Sequence, residues 1–256
     1  MLFSILLPTL GLRYKETERL FASLSNQELK DFEIVMVSQI NHEDMVQLVE
    51  KWSLLKIKHI RIQEIGLSNA RNIGLKQCQG EWVIISDDDC WYPQNSLADL
   101  AKHIKESNAD IVLSQIYDPI SQQLYKSYQN KRLTIKNKFA LLSRSSIEIA
   151  FNRQKIKHDF DVNFGLGARY ICCEEVDFLL NNYNKNKVIS LPIVSVYHEK
   201  KNSANNGQII AKGALYNKNF NIIVSIMILV RDLIFKRENN FKYFIIGYKD
   251  YEGLRK

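Results

Sequence analysis

Three consecutive carboxylates, Asp87-Asp88-Asp89, follow directly on an apolar run, Trp82 to Ile85, and Pro93 closes the segment. Such a run predicts a strand buried on both faces, with the carboxylates at or just past its carboxyl end, where open α/β sheets bind ligands. Along an extended chain Asp87 and Asp89 would point to one side and Asp88 to the other. Two like charges on one side require a cation or a donor-rich ligand between them. Oxygen ligands favour Mg2+ or Mn2+, held together with substrate phosphates. The plain alternative is an acidic surface turn, where aspartate is common.

Other groups accompany the carboxylates. Gly66 opens a block, Leu67-Ser68-Asn69-Ala70-Arg71-Asn72-Ile73-Gly74-Leu75, that reads as a helix with Ser68 or Asn69 as N-cap. Backbone N–H groups at that helix start, with Arg71, suit a diphosphate or a nucleotide ring. Arg71 equally suits a salt bridge to Asp87 or Asp88. Further on, Gly165-Leu166-Gly167 precedes Glu174-Glu175 and Asp177 at the start of another helix. Acidic residues in a first helical turn are favoured by the helix dipole alone. Glu174 and Asp177 share a helix face, and Glu175 lies about 100° away. His198 ends a strand and is read as readily as a ligand as a structural histidine. It precedes a small-polar loop, 202–207, placed to close over a ligand. Trp91 and Tyr92 suit stacking on a ligand or the core.

The elements that must position these groups alternate. Strands are expected at 3–7, 31–37, 57–62 and 82–85, with helices at 15–26, 44–55 and 67–75 between them. This β-α-β-α-β-α-β order implies an α/β fold with a mostly parallel sheet flanked by helices. Pro8-Thr9 and Ser38-Gln39 end the first two strands on the edge that carries the carboxylates. A helix at 96–107 and a strand at 109–114 follow, then an irregular, basic, loop-rich stretch from 118 to 159. Val188 to Tyr197 reads as a final strand pair. From 221 to 233 runs the most apolar helical stretch, with an uncharged centre of about 10 residues against the roughly 20 that span a bilayer. Lys218 precedes it and Arg231, Lys236 and Arg237 follow. That pattern suits packing against the domain, a homodimer mate, or an anionic membrane surface.

Composition bounds the function. With 46% hydrophobic and 25% charged residues in 256, the chain is an ordinary globular one. The first residues read as a strand rather than a signal peptide. The four cysteines lack metal spacing, which favours a reducing compartment. A net charge of +7 admits nucleic acid, anionic lipid or a phosphorylated substrate. Sparse aromatics in the basic stretch and the lack of a recognition motif argue against nucleic acid.

Taken together, Pro8-Thr9, the Gly66–Leu75 block, Asp87-Asp88-Asp89 with Pro93, the Gly165–Tyr170 loop with Glu174-Glu175, and Tyr197-His198 resemble the inverting family 2 glycosyltransferases of GT-A fold, over about residues 3–200. The resemblance implies a transferase domain at 1–212, with a nucleotide-sugar half at 1–116 and an acceptor half at 117–212. A C-terminal helical region at 213–256 is appended. It implies that Asp87, Asp89 and His198 hold Mn2+ or Mg2+, and that Pro8, Thr9, Gln39, Ser68, Arg71, Asp87 and Asp88 bind the nucleotide sugar. The base comes from Glu175 or Glu174, with Glu175 favoured. Many members carry an acidic residue where Ser38-Gln39 stands, so here the Gln39 amide would hold the base of the nucleotide. The implied partners are a UDP-sugar donor and a glycan or lipid-linked oligosaccharide acceptor in bacterial surface polysaccharide assembly. The implied location is the cytoplasm, peripherally at the inner face of the plasma membrane. The rival readings are a family member that binds donor without transferring, and a metal-dependent nucleotidyltransferase or phosphohydrolase. The Arg71 block and Glu174-Glu175 have no role in the latter.

Overall fold

The computed structural model describes residues 1–200, 205–236 and 241–254. Strands β1 (Phe3–Thr9), β2 (Phe32–Ser38) and β4 (Trp82–Ile85) are buried along their whole length, as near-unbroken apolar runs require. β3 (Ile57–Arg61) alternates between covered and open positions and forms an edge. The four pair in the order β3-β2-β1-β4, all parallel. Parallel neighbours need crossovers, supplied by α1 (Tyr14–Ser25), α2 (His42–Lys51) and α3 (Leu67–Leu75). α1 buries Thr17, Leu20, Phe21 and Leu24, one stripe at helical spacing. α3 lies hard against the sheet at Gly74, where a Cβ would meet Leu6 Cδ1 at 2.5 Å and Val37 Cγ2 at 2.9 Å.

Beyond β4 the sheet becomes mixed. β8 (Ile149–Asn152) runs antiparallel between β4 and β5 (Ile111–Asp118), and β5 pairs parallel with β9 (Val188–Tyr197). β7 (Leu133–Thr134) edges β9, and β6 (Gln123–Leu124) pairs off the end of β5. α4 (Ser96–Ser107) and α5 (Glu174–Tyr183) flank this half. The expected α/β sheet flanked by helices is therefore present, parallel through its first four strands. Two local expectations change. The stretch 118–159 is not simply loop: it supplies β6, β7, two short 3-10 turns and β8, a fully paired interior strand. Residues 188–197 form one strand rather than a pair, because a register shift against β5 takes up Pro192, which has no N–H to give a ladder.

Three helices close the chain: α6 (Asn206–Asn219), α7 (Ile222–Lys236) and α8 (Phe241–Leu254). The 212/213 boundary expected from sequence falls inside α6. α6 packs on α8, with Gly213 against the Phe244 backbone and Gly247 against that of Ile210. α7 is one-sided: Ser225, Ile228, Leu229 and Asp232 are buried, while Ile222, Ile223, Ile226, Met227 and Val230 are exposed. No described helix is long and apolar enough to cross a membrane. Residues 202–204 of the expected closing loop, and Arg237, lie outside the described residues.

Candidate active site

A cleft of about 380 Å3 opens at the carboxyl ends of β1, β2 and β4. Its lining includes Pro8, Thr9, Gln39, Asp87, Asp88, Asp89 and His198, with Leu67 and Gly167 at its side. Seven residues expected from sequence thus meet there. Each is delivered by the end of a buried strand or the turn just past it, so the rigid sheet fixes their spacing.

The three carboxylates do not alternate as an extended chain would. β4 ends at Ile85 and the backbone turns at 88–89, which breaks the two-residue period. Asp87 accepts from Arg71 Nη2 at 3.0 Å and from Ser146 Oγ at 3.1 Å. Asp88 and Asp89 instead converge on one guanidinium: Arg13 Nη1 lies 2.9 Å from Asp88 Oδ1 and 2.9 Å from Asp89 Oδ2. Thr9 Oγ1 donates to the second oxygen of Asp88 at 2.7 Å, and the Gly11 N–H donates to Thr9 Oγ1. Burial raises the Asp88 pKa, against the lowering effects of Thr9 and Arg13. Burial opposes the charge on Arg13 too, yet Asp88 and Asp89 carry its pKa above the ordinary value.

His198 reaches Asp89 because of a cross-chain clamp. Trp91 and Tyr197 exchange backbone hydrogen bonds of 3.1 and 2.7 Å, which draws the end of β9 against the acidic turn. His198 Nε2 then sits 3.2 Å from Asp89 Oδ1. That is close to the roughly 3 Å between adjacent ligand atoms about 2.1 Å from an octahedral Mg2+ or Mn2+. The pair therefore fits a divalent cation as two neighbouring ligands. Asp87, whose oxygens bond Arg71 and Ser146, stands apart from that pair. Among the described residues no group of three or more His, Cys, Asp or Glu is arranged to hold a metal ion, so further ligands would have to come from donor phosphates or water.

Arg71 is not in the cleft. It is fully buried, and its Nη1 donates to Glu174 Oε1 at 2.8 Å while Nη2 serves Asp87. One guanidinium thus ties the acidic turn to the start of α5. Burial opposes its charge, and Asp87 and Glu174 raise its pKa. Both readings of Arg71 were open in the sequence; the observed contact is the salt bridge, with Asp87. Ser68 is buried and donates to the Phe164 carbonyl at 2.6 Å, so it does not cap α3; Gly66 stands at the cap, and its N–H donates to Gln39 Oε1 at 2.7 Å. Glu174 and Glu175 lie outside the cleft lining. Glu175 is half-buried, and burial, then the neighbouring Glu174 charge, holds its carboxyl well above the usual range. Asp177 is withdrawn from the competition for a proton. Its carboxylate accepts from Lys218 Nζ at 2.6 Å and Asn219 Nδ2 at 2.9 Å, facing α6.

Sequence reasoning passed over Arg13 and Arg19. Arg19 lies 3.6 Å over the Trp91 ring, donates to the Asp89 carbonyl at 3.0 Å and pairs with Glu199 at 3.2 Å. Arg13 stands at the cap just before α1, and Arg19 lies in the second turn of that helix. Position was the one signal for Arg13: a cation four residues past the strand end that lines the cleft. Trp91 carries the Arg19 guanidinium, and Tyr92 is in the core. In the basic stretch, Lys126 and Arg144 turn inward to the buried Glu148, at 2.6 and 3.2 Å.

The chain matches the family model described as glycosyl transferase family 2 over residues 4–169. TarS of Staphylococcus aureus, a poly(ribitol-phosphate) beta-N-acetylglucosaminyltransferase, is 33% identical over 118 residues, which are 44% of this chain and 20% of that protein. A cholesterol galactosyltransferase of Borreliella burgdorferi is 37% identical over 95 residues, 36% of this chain and 26% of that one. The chain thus spans only a fifth to a quarter of these curated relatives. The crystal structure of S. aureus TarS 1–349 in complex with UDP-GlcNAc has a TM-score of 0.73 at 20% identity, covering 98% of this chain and 80% of that chain. That likeness establishes a shared fold.

Proposed function

The chain belongs to glycosyl transferase family 2, and from that membership we propose that it moves a sugar, with inversion, from a UDP-sugar to a hydroxyl of a glycan or lipid-linked oligosaccharide. The reaction would serve bacterial surface polysaccharide assembly. The observation that carries the reading is the convergence of Asp88, Asp89, His198, Thr9 and Gln39 on one cleft at the sheet's carboxyl edge. Pro8, Thr9 and Gln39 would face the nucleoside. Gln39 has its carbonyl oxygen engaged by the Gly66 N–H, so its amide N–H groups remain to meet a base carbonyl. Asp89 and His198 would hold the divalent cation, which when bound neutralises the charge that builds on a departing diphosphate. Asp87, fixed by Arg71 and Ser146, would orient the turn that presents Asp89. Ser68 and Arg71 would act on the donor indirectly, by setting the loops around it.

Glu175 is the base in this reading. An elevated carboxyl pKa makes it a stronger proton acceptor than an exposed glutamate at neutral pH. Arg71 holds Glu174 in a fixed ion pair, which leaves Glu175 the freer of the two. The exposed apolar face of α7 supports contact with an anionic membrane at the cytoplasmic face. Lys and Arg outnumber Asp and Glu by nine to four from residue 205 onward, which favours the same surface. Flotation with anionic liposomes at low salt tests this; a protein that stays at the bottom and sediments as a dimer assigns that face to a second copy.

The donor reading is tested by turnover and binding across a panel of nucleotide sugars, with and without Mn2+, for the wild type and Asp89→Ala. Metal-dependent use of one nucleotide sugar, lost in Asp89→Ala, is expected. Binding without turnover on any acceptor would instead favour a donor-binding protein that does not transfer.

A further inference from the structure

Arg13 occupies an unusual place. One of its nitrogens bridges carboxylate oxygens of both Asp88 and Asp89, each at 2.9 Å, and it lines the cleft with a side chain 48% exposed. The other arginines near these carboxylates are differently held. Arg71 is fully buried between Asp87 and Glu174, and Arg19 is stacked on Trp91 with its Nη2 on a carbonyl. Arg13 alone among the three is half in solvent and pairs with carboxylates at the cleft wall. The oxygen of Asp89 it contacts, Oδ2, belongs to the carboxylate whose other oxygen faces His198. A divalent cation seated on Asp89 and His198 would lie beside a fixed positive charge, and like charges that close repel strongly.

Building on the metal reading above, we infer that Arg13 is a displaceable internal cation. It holds the acidic turn in place before the metal arrives, competes with that metal for Asp89, and on release turns to the donor diphosphate. The loop that carries it suits such a move. Residues 10–13 belong to neither β1 nor α1, and Gly11, at φ 76°, lies where a Cβ would strike the Asn41 carbonyl. The pivot is pinned on that side, and the long side chain beyond it reaches solvent along half its surface. An arginine meets phosphate oxygens with two parallel N–H bonds, a better geometry than one nitrogen shared between two carboxylates. Arg13 thus acts as a positioning residue in the empty site and as a phosphate ligand in the filled one.

The two roles predict opposite signs, which a purely structural role would not produce. Mn2+ binding to the nucleotide-free protein is read by EPR, and UDP binding at saturating Mn2+ by calorimetry. The proteins are the wild type, Arg13→Gln, Arg13→Lys and Arg61→Gln; the last removes a charge from an exposed pair with Glu43. Arg13→Gln is expected to bind Mn2+ about 2- to 5-fold more tightly, the scale of a half-exposed ion pair. It is also expected to bind UDP about 10-fold more weakly. Arg13→Lys falls between it and the wild type, and Arg61→Gln matches the wild type. Mn2+ affinity in Arg13→Gln that is equal to or below the wild type overturns the inference, as does equal tightening in Arg61→Gln. Should Arg13→Gln fail to fold, Arg13→Lys carries the same test. Absence of Mn2+ binding by the wild type, with and without UDP, is a different failure: it removes the metal reading itself, and this inference with it.

Discussion

Two acidic pairs, each answered by one cation, have different fates. Asp161 and Asp177 share the Lys218 ammonium at 2.7 and 2.6 Å, and Asn219 and Asn181 fill the remaining positions on Asp177. Lys218 is largely buried and Asp177 wholly so. Asp88 and Asp89 share Arg13, but that arginine is half exposed and both carboxylates face a cleft. The first cluster is closed: every charge has a fixed partner from α5, α6 or the preceding loop, and it fastens the C-terminal helices to the sheet domain. The second is open: its cation can leave and a ligand can enter. Similar residue types are sealed in one place and open to a cleft in the other, and access to solvent is what separates them.

That contrast can be broken most forcefully at Asp89. Asp89→Ala is expected to lower transfer by about 10^3-fold or more, because charge on the leaving diphosphate loses its counter-ion. Thermal stability should stay near wild type; a large fall in the melting midpoint would make Asp89 part of the framework. Lys218→Ala should show the reverse. Stranding Asp177 as an unpaired buried charge is expected to reduce stability by about 3–5 kcal/mol in denaturant unfolding, with kcat on the surviving fold little altered. Unchanged stability would show that water reaches the cluster and that it is not closed.

The pH profile sharpens the comparison next. A protonated Glu175 accepts no proton, so the rate falls as pH drops through its pKa. Since that pKa is raised, the acid limb should lie at higher pH than for an exposed glutamate. Glu174→Gln removes one of the charges that raise it, and the limb should move down; a limb that stays in place would assign it to another group. The smallest effect is expected at Asp250→Asn. Asp250 on α8 pairs with Arg169 and accepts from Tyr170 at 2.8 Å, at the end of the Gly165–Tyr170 loop. This pair is exposed, so stability should change by about 0.2–1 kcal/mol. If the loop positions the acceptor, the acceptor KM rises while donor KM does not.

Much of the parallel half of the sheet was legible in the sequence. β1, β2 and β4 are apolar runs that end in chemistry-bearing residues, and their local pattern states both their strand character and their carboxyl ends. β8 was not legible, although Ile149-Ala150-Phe151 is an apolar run, because it is short and set within a basic stretch that reads as loop. Its burial comes from β4 and β5 on either side, not from its own pattern. The acids at the start of α5 were picked out as a group, yet their separate contacts were not. Glu174, Glu175 and Asp177 are equivalent on paper, and they diverge because Arg71 takes the first and Lys218 the last.

The sequence by itself determined the fold class, the edge of the sheet on which the cleft opens and the residue types gathered there, since strand burial and turn position follow from local pattern. Only the tertiary structure decided which cation answers which carboxylate. Arg13 meets Asp88 across 75 positions and Arg71 meets Glu174 across 103. Pairings of that range depend on how whole elements pack, and no local spacing encodes them.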